Sequence, residues 1–298
     1  MLKKLFTVLL FLSAYQMGSS QGHFTLPVTI KYHFKPAPDT AKVDTSKAIL
    51  QVKYQFNWVD DTADRAHPYT EDMVVFTDGK TTVYSSYDEL VTFPAENRRY
   101  EEMRKAGINP IMRFTVPNTE WVMYTHAGKD TMDIVEAIVE TYYIAKSYRP
   151  TIAWTIQADS AKNILGFNCR QATGIFRGRV YTAWFAPDIP VPYGPWKLSG
   201  LPGIILEAKD SKNDVMFKAI TISKTTDTSP LQYPANQKLQ PIALKRMNEL
   251  SNYYRAHPFE ALKASGIELT PANGSSSTEP VINIISGNNP MELPEKNK

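Results

Sequence analysis

Apolar and polar residues alternate over eleven positions, from Ala48 to Trp58. A period of two puts the apolar side chains on one face of a β-strand and the polar side chains on the other. A strand of this kind packs one face on a core and turns the other to water, as in an antiparallel sheet. The alternation therefore excludes a helix in this segment and predicts a half-buried antiparallel sheet.

Further strand patterns follow, connected by short turns rather than by regular helices. They cover residues 73–76, 81–84, 120–125, 131–138, 139–147, 152–157, 164–176, 179–186, 204–208 and 215–223. Asp78-Gly79, between the first two, is a typical hairpin turn. Because strands that follow one another without helices pair antiparallel, the sequence favours one antiparallel sheet over a doubly wound parallel one.

Two segments have helical patterns instead. Residues 95–107 are rich in glutamate, arginine and methionine and end at a glycine. Farther on, apolar residues recur at helical spacing between a proline suited to a first turn and a proline that stops the helix: Pro241, Leu244, Met247, Leu250, Tyr254 and Pro258. We expect the helices to cover one face of the sheet. The predicted fold is thus β-rich α+β, a strongly curved, half-barrel-like antiparallel sheet with a few covering helices.

The first twenty residues have the pattern of a secretory signal peptide. Lys3 and Lys4 precede an apolar run over residues 5–14, and Gly18-Ser19-Ser20 offers a small-residue cleavage site. A membrane-spanning helix needs roughly 20 apolar residues, about twice the length of this run. We therefore expect a periplasmic or secreted protein that keeps no transmembrane anchor after cleavage.

Composition divides the rest of the chain into two parts. After the signal peptide at residues 1–20, we expect residues 24–265 to form a single β-rich domain and the polar residues 266–298 to form a flexible C-terminal tail. Residues 281–285 are apolar enough to add one edge strand within this tail. The formal net charge of +3 falls to +1 without the two lysines of the signal peptide, which argues against a nucleic-acid partner.

The chain has a single cysteine, Cys169, so no internal disulfide can form. The alternation of this segment places Leu165, Phe167 and Cys169 on one face of a strand. A lone exported thiol can pair with another molecule or react. The apolar neighbours favour the simpler interpretation, in which Cys169 is a small buried hydrophobic residue.

A loop crowded with prolines and glycines lies between the strands predicted at residues 179–186 and 204–208. Prolines lack an amide donor and fix φ, so the loop cannot form a regular ladder. Aromatic and charged side chains cluster in or beside it, and the candidate ligand- or partner-binding residues are Arg179, Trp184, Asp188, Tyr193 and Trp196. Two interpretations stay open: the rings cap the core beneath the loop, or they form a binding rim for a lipid, a glycan or a protein.

The same region carries motifs specific enough to suggest a family. They are Gly166-Phe167-Asn168-Cys169, Gly178-Arg179, Ala183-Trp184-Phe185, Gly194-Pro195 and the structural motif Gly200, Leu201, Pro202 and Gly203. With these residues the segment resembles the GLPGLI family, secreted proteins of Bacteroidetes bacteria with no assigned activity. Asn289-Pro290-Met291-Glu292-Leu293 also resembles the usual end of that family, whereas Ile204-Ile205 replaces the Leu-Ile of its name. The resemblance implies export and a β-rich domain, and it supplies no catalytic residues.

No catalytic motif accompanies this resemblance. The chain lacks a nucleophile elbow, a His-Glu-x-x-His zinc motif, a P-loop and a dinucleotide fingerprint, so we predict no catalytic residue, metal or cofactor. One functional class left open is a non-catalytic envelope protein that binds a lipid or other hydrophobic ligand, or a protein partner such as an outer-membrane transporter. The other is a periplasmic hydrolase or metal-dependent enzyme whose site is assembled from distant residues. A structural envelope protein without a small ligand is a third interpretation.

Overall fold

The computed structural model describes residues 28–30, 49–108, 119, 121–234, 237–264, 269–271 and 291–292. Its strands are β1 (Val28–Ile30), β2 (Ile49–Trp58), β3 (Tyr69–Thr77), β4 (Thr81–Ser86), β5 (Trp121–His126), β6 (Thr131–Ile138), β7 (Thr141–Tyr148), β8 (Trp154–Ile156), β9 (Lys162–Ile164), β10 (Phe167–Phe176), β11 (Arg179–Ala186), β12 (Ile204–Asp210), β13 (Val215–Thr225), β14 (Gln240–Pro241) and β15 (Leu269–Pro271). The helices are α1 (Phe93–Lys105), α2 (Leu244–Ala256) and α3 (Pro258–Ala264), with a π-helical turn at Asp88–Thr92 and a 3₁₀ turn at Ser229–Leu231. None of the helices in these ranges is long and apolar enough to cross a membrane.

Thirteen of these strands form one large sheet. Its order is β14-β7-β6-β5-β4-β3-β2-β13-β12-β11-β10-β8, and β9 also pairs with β10. The pairs are antiparallel, except that the two-residue β14 runs parallel to β7. The prediction of a β-rich fold built on an antiparallel sheet is confirmed. β1 and β15 pair with each other in a separate two-stranded sheet.

The large sheet is strongly curved, as the contacts of the loop at residues 187–203 show. A narrow cleft is lined on one side by this loop, through Tyr193 and Trp196, and on the other by Tyr84 of β4 and Met132 of β6. β6 and β12 are six steps apart in the strand order, which in a flat sheet corresponds to roughly 29 Å. A loop that leads into β12 reaches β6 because the sheet curls around it. The half-barrel-like shape is therefore confirmed, and the loop fills its concave face.

Both faces of the sheet carry apolar clusters where it runs through β4 to β7. Met132 and Ile134 of β6 belong to the main core on the concave face, together with Met247 of α2. Val135, which points to the outer face, belongs to a second cluster that Leu231 covers. Because strands in this region are buried on both faces, they have runs of apolar residues instead of a clean alternation.

Two local predictions are wrong. The strand predicted at residues 164–176 is split into β9 and β10 by a tight turn at Leu165-Gly166, where both residues have positive φ, +53° and +89°. Leu165 is therefore 45% exposed and does not share the buried face of Cys169. Pro241 is not in the first turn of a helix, because it pairs with β7 in β14 and α2 begins only at Leu244.

The other local predictions fall partly within and partly outside the described residues. Cys169 is buried, as predicted. The edge strand considered at residues 281–285 lies outside the described residues. Of the predicted C-terminal tail, residues 269–271 pair with β1, and residues 291–292 contact the large domain.

Candidate functional site

The loop at residues 187–203 is held by backbone hydrogen bonds to the first residues of β12 and by a bridge within the loop. The Ile204 amide donates to Ile189 O at 3.0 Å, and the Ile205 amide donates to Tyr193 O at 3.1 Å. Tyr193 and Ser199 also form an isolated antiparallel bridge. These bonds replace the regular ladder that the prolines prevent, so the loop forms a fixed layer over the concave face.

Trp196 lies inside this layer. Its ring packs edge-on against Phe176 at 5.3 Å between centroids and stacks with Phe217 at 6.4 Å. Tyr193 is buried as well. The positions of Tyr193 and Trp196 correspond to the interpretation in which rings cap the core, and ligand binding by either remains a prediction.

The cleft beside these rings is small. It lies between the loop and the strands β4 to β6 and has about 10 Å³ of room, which suffices for about one water molecule. Drug-sized ligands occupy pockets of roughly 300 to 1,000 Å³. As the described residues place it, the cleft is too small for such a ligand.

The two glycines of the structural motif have different roles. Gly200 has a φ of +97°, a conformation that residues with a Cβ rarely adopt. Gly203 is needed for close approach, because a Cβ there would lie 2.2 Å from Ala186 O. Between them Leu201 is buried in the core and Pro202 is exposed.

The remaining predicted binding residues lie in other places. Trp184 is half-buried on the outer face, where the Lys162 ammonium lies 5.5 Å from its ring centroid and pairs with Glu207 at 2.6 Å. Asp188 is exposed in the loop. The structure therefore does not bring Trp184 together with Tyr193 and Trp196.

Arg179, at the start of β11, is the centre of a buried ion cluster. Its Nη1 donates to Asp210 Oδ2 at 2.6 Å and lies 3.7 Å from Asp214 Oδ2. Asp210 Oδ1 in turn accepts the amides of Asp214 and Val215 across the β12–β13 turn. Arg65, from the connection between β2 and β3, donates to Asp214 Oδ1 at 2.6 Å. The cluster ties two connections of the sheet, β2–β3 and β12–β13, to the first residue of β11.

Two residues near the C-terminus dock on this cluster. Arg179 Nε donates to Met291 O at 3.1 Å, and the Glu292 carboxylate pairs with Lys197 and, at 3.5 Å, with Arg177. The Met291 side chain packs against the main core. We call Arg177, Arg179 and Lys197 the basic site.

The hydroxyl of Tyr181 lies beside the basic site. Burial raises the pKa of this hydroxyl well above the usual tyrosine value. The positive charge of Arg179 lowers this pKa, whereas the carboxylates of Asp210 and Glu292 raise it further. Within the described part of the chain this buried oxygen has no hydrogen-bond partner. A buried hydroxyl without a partner costs roughly 1–3 kcal/mol.

A second polar network lies on the outer face, at the end of the sheet near the β3–β4 turn. The Tyr233 hydroxyl donates to Asp133 Oδ2 at 2.6 Å, and Lys146 donates to Asp133 Oδ1 at 2.9 Å. With a proton on Nε2, His126 donates to the Tyr233 oxygen at 3.1 Å and accepts from Thr81 through Nδ1 at 3.3 Å. A histidine and a carboxylate thus converge here, with a tyrosine between them.

Two carboxylates of β6 have pKa values shifted in opposite directions. Glu136 is buried under α2, where Ser251 donates to its Oε1 at 2.5 Å. Burial raises the pKa of Glu136 and outweighs the opposing effects of Ser251 and Arg255. Burial acts on Asp133 in the same sense, but the hydrogen bonds from Lys146 and Tyr233 prevail and lower its pKa.

Glu136→Gln is expected to raise the free energy of unfolding at neutral pH and to have less effect in acid. Because the pKa of Glu136 is higher in the folded protein than in the unfolded chain, protonation of Glu136 contributes to the stability of the folded state. That contribution is complete below the ordinary glutamate pKa of about 4.3 and is lost as the pH rises through the folded-state value. Glutamine carries no charge and keeps an oxygen for Ser251. Urea unfolding over a pH series measures the difference.

Asp133→Asn is the matched control, because a lowered pKa has the opposite sign. Its contribution is complete above the ordinary aspartate pKa of about 3.9 and is lost in acid. Asp133→Asn should therefore destabilise the protein at neutral pH, by less as the pH falls. Stability curves that run parallel to the wild type for both variants would contradict these assignments.

Sequence reasoning missed most of the ion cluster, although one signal was present. In the strand predicted at residues 179–186, alternation places Arg179 on the same face as the apolar residues Tyr181, Ala183 and Phe185. A buried arginine requires a carboxylate partner. No local pattern identifies Glu292, which reaches Lys197 across 95 positions of the chain. Among the described residues no group of three or more histidine, cysteine, aspartate or glutamate side chains could hold a metal ion.

One segment of the chain matches a known protein family. Residues 177–207 match a family described as a protein of unknown function (Porph_ging). This segment runs from Arg177 to Glu207 and contains the whole loop and the basic site. No curated protein matches the chain.

Two solved structures are similar to the chain. PNGF-II in the C2 space group has 11% sequence identity and a TM-score of 0.49, with 68% of this chain and 32% of that chain covered. PNGF-II in the P21 space group has 11% identity and a TM-score of 0.48, with 68% and 33% covered. The chain spans about a third of the length of these structures.

Proposed function

We propose that this chain is an exported, non-catalytic envelope protein of the GLPGLI type that binds a protein partner through the basic site. The observation that carries the proposal is the docking of Met291 and Glu292 on Arg177, Arg179 and Lys197. There a folded surface holds two residues that are distant in the chain, Met291 by its backbone and Glu292 by its charge. The partner is an envelope protein, for which an outer-membrane transporter is one candidate.

The filled concave face favours a protein partner over a lipid. A half-barrel that carries a lipid needs an open apolar interior. Here Trp196, Leu198 and Leu201 of the loop occupy the concave face as part of the main core. The space that a hydrophobic ligand would take is thus used by the chain itself.

Export is supported by the signal-peptide pattern of residues 1–20. The motif residues of the resemblance between Gly178 and Gly203 fall inside the matched segment 177–207, whereas Gly166-Phe167-Asn168-Cys169 and residues 289–293 lie outside it. An exported protein of Bacteroidetes is consistent with both features. Cleavage would give a mature chain that begins near Gln21, which N-terminal sequencing of the exported protein identifies.

A periplasmic hydrolase is the second candidate. Its supporting observation is the convergence of His126 and Asp133 through Tyr233. The carboxylate is held by Lys146 as well as by Tyr233, and burial together with Asp133 raises the pKa of the Tyr233 hydroxyl. The hydrogen bonds of this network fix residues 231–233 to the outer face of the sheet, which is a structural role. The basic site is therefore the better-supported functional site.

A photo-crosslinking residue at position 212 is expected to capture one discrete envelope protein in exporting cells. Lys212 is exposed in the β12–β13 turn, where the neighbouring Ser211 amide donates to Val180 O beside the basic site. The matched control is position 80, an exposed lysine of the β3–β4 turn at the opposite end of β3. The adduct should form at position 212 and not at position 80.

Native mass spectrometry of the exported protein would detect results that contradict a protein partner. A reproducible lipid-sized increment would replace the protein partner by a hydrophobic ligand. A metal-sized increment would support the enzyme instead. Equal crosslinking at positions 80 and 212 would contradict a specific site at this end of the sheet.

A further inference from the structure

We infer that the basic site recognises a short peptide that carries a glutamate directly after an apolar residue, and that Met291-Glu292 occupies the site as an intramolecular competitor. The ligand is a short segment of another protein. This inference rests on the proposed function and specifies the chemistry of its partner.

The site makes three kinds of contact with the docked segment. Arg179 Nε binds the main-chain oxygen of Met291 at 3.1 Å, which any peptide offers. The Met291 side chain packs on the core, which selects an apolar residue. Lys197 and Arg177 bind the carboxylate of the next residue, Glu292, which selects an acidic one. Backbone and side-chain recognition are thus combined, as in other peptide-binding surfaces.

The observed ion pairs favour an acidic ligand. Lys197 and Arg177 both pair with the Glu292 carboxylate, and a ligand with a carboxylate at the same position would make the same pairs. Arg179, the third residue of the basic site, pairs with Asp210, so its charge holds the site in place while its Nε binds the backbone.

The site is built before the peptide arrives. The Arg179 side chain is only 2% exposed and is fixed by Asp210, so its Nε has a set direction. The Arg177 and Lys197 side chains are 49% and 20% exposed and accessible to a ligand from solvent. A fixed site loses little entropy on binding, which increases affinity.

The C-terminal sequence has the features of an exchangeable ligand. Pro290 and Pro294 flank Met291, Glu292 and Leu293 in the chain, and proline restricts the backbone before binding. A ligand tethered by its own chain competes at an effective concentration on the order of millimolar. A free peptide must exceed this competition, so weakening the internal ligand should expose the site.

The test uses the full-length mature chain and a fluorescent peptide that copies residues 288–296. Glu292→Ala in the protein is expected to increase the apparent affinity for the wild-type peptide by about tenfold or more, because the internal competitor loses its carboxylate. Adding Lys197→Ala to Glu292→Ala should abolish the gain. Adding Lys218→Ala, an exposed lysine of β13 outside the basic site, should leave it unchanged.

Two further variants keep the test decisive. If Glu292→Ala proves poorly folded, Glu292→Gln replaces it in the test. This variant preserves the size of the internal residue and should also increase the apparent affinity for the peptide. A peptide with glutamine in place of its glutamate should fail to bind, and binding of the wild-type peptide should weaken with salt.

Equal affinity of the peptide for wild-type and Glu292→Ala protein, or binding that survives loss of the peptide glutamate, overturns the inference. A dimer that forms only with an intact C-terminal segment also overturns it, since the occupant is then a second copy. If the peptide fails but position 212 still captures a discrete protein, the proposed function stands and only the ligand class is wrong. If both fail, the proposed function falls as well.

Discussion

Gly203→Ala is expected to destabilise the protein by about 3 kcal/mol or more, at or above the upper end of the usual cost of overpacking. A Cβ at this position would lie 2.2 Å from the carbonyl oxygen and 2.6 Å from the carbonyl carbon of Ala186, and 3.0 Å from Pro187 Cα. These are backbone atoms at the end of β11. Ala186 pairs directly with Ile204 of β12, so it cannot move away without breaking the ladder.

Gly200→Ala is the matched comparison, since it lies three residues away in the same motif. Here the obstacle is the φ of +97° and not space, because the closest atoms to a Cβ are those of Trp154 at 3.9 Å. Left-handed backbone costs a residue with a Cβ about 1–2 kcal/mol. Urea denaturation of both variants gives the two free energies of unfolding. Equal costs for the two positions, or a smaller cost at Gly203, would refute the close-approach explanation.

The strands of this protein were predictable because their signals are local. The alternation in β2 and the Asp78-Gly79 turn each specify a structure within about ten residues. The pairing of β2 with β13 is different, since Trp58 lies opposite Val215 in a register that no short pattern encodes. Partner choice among thirteen strands depends on contacts across the whole chain.

The candidate site was predictable in the same uneven way. The Gly-Leu-Pro-Gly run lies within residues 177–207, the segment that matches a known family. The sequence alone did not reveal that Trp196 turns inward while Trp184 faces outward, because the loop direction depends on the curvature of the sheet. It also gave no signal that Glu292 reaches Lys197 and Arg177.

Arg179→Met is expected to destabilise the protein by about 3–5 kcal/mol, the usual cost of removing one partner from a buried ion pair. Methionine fills much of the same space, so the loss arises from charge and hydrogen bonding. Asp210 and Asp214, both buried, lose the guanidinium that lies 2.6 and 3.7 Å from their oxygens. Urea is the appropriate denaturant, since a salt such as guanidinium chloride screens the interaction under test.

Arg177→Met is the control for this prediction. The Arg177 side chain is 49% exposed, and exposed ion pairs contribute about 0–1 kcal/mol. Asp210→Asn combined with Arg179→Met should recover part of the loss, because asparagine keeps an oxygen for the amides of Asp214 and Val215 without a buried charge. If Arg179→Met costs no more than Arg177→Met, the ion cluster is not a stabilising element.

Because Arg179 joins the start of β11 to the β12–β13 turn and to Met291, its replacement should loosen all three together. Peptide-binding experiments therefore belong at Lys197 and Glu292, whose side chains are 20% and 35% exposed and lie outside the buried ion cluster.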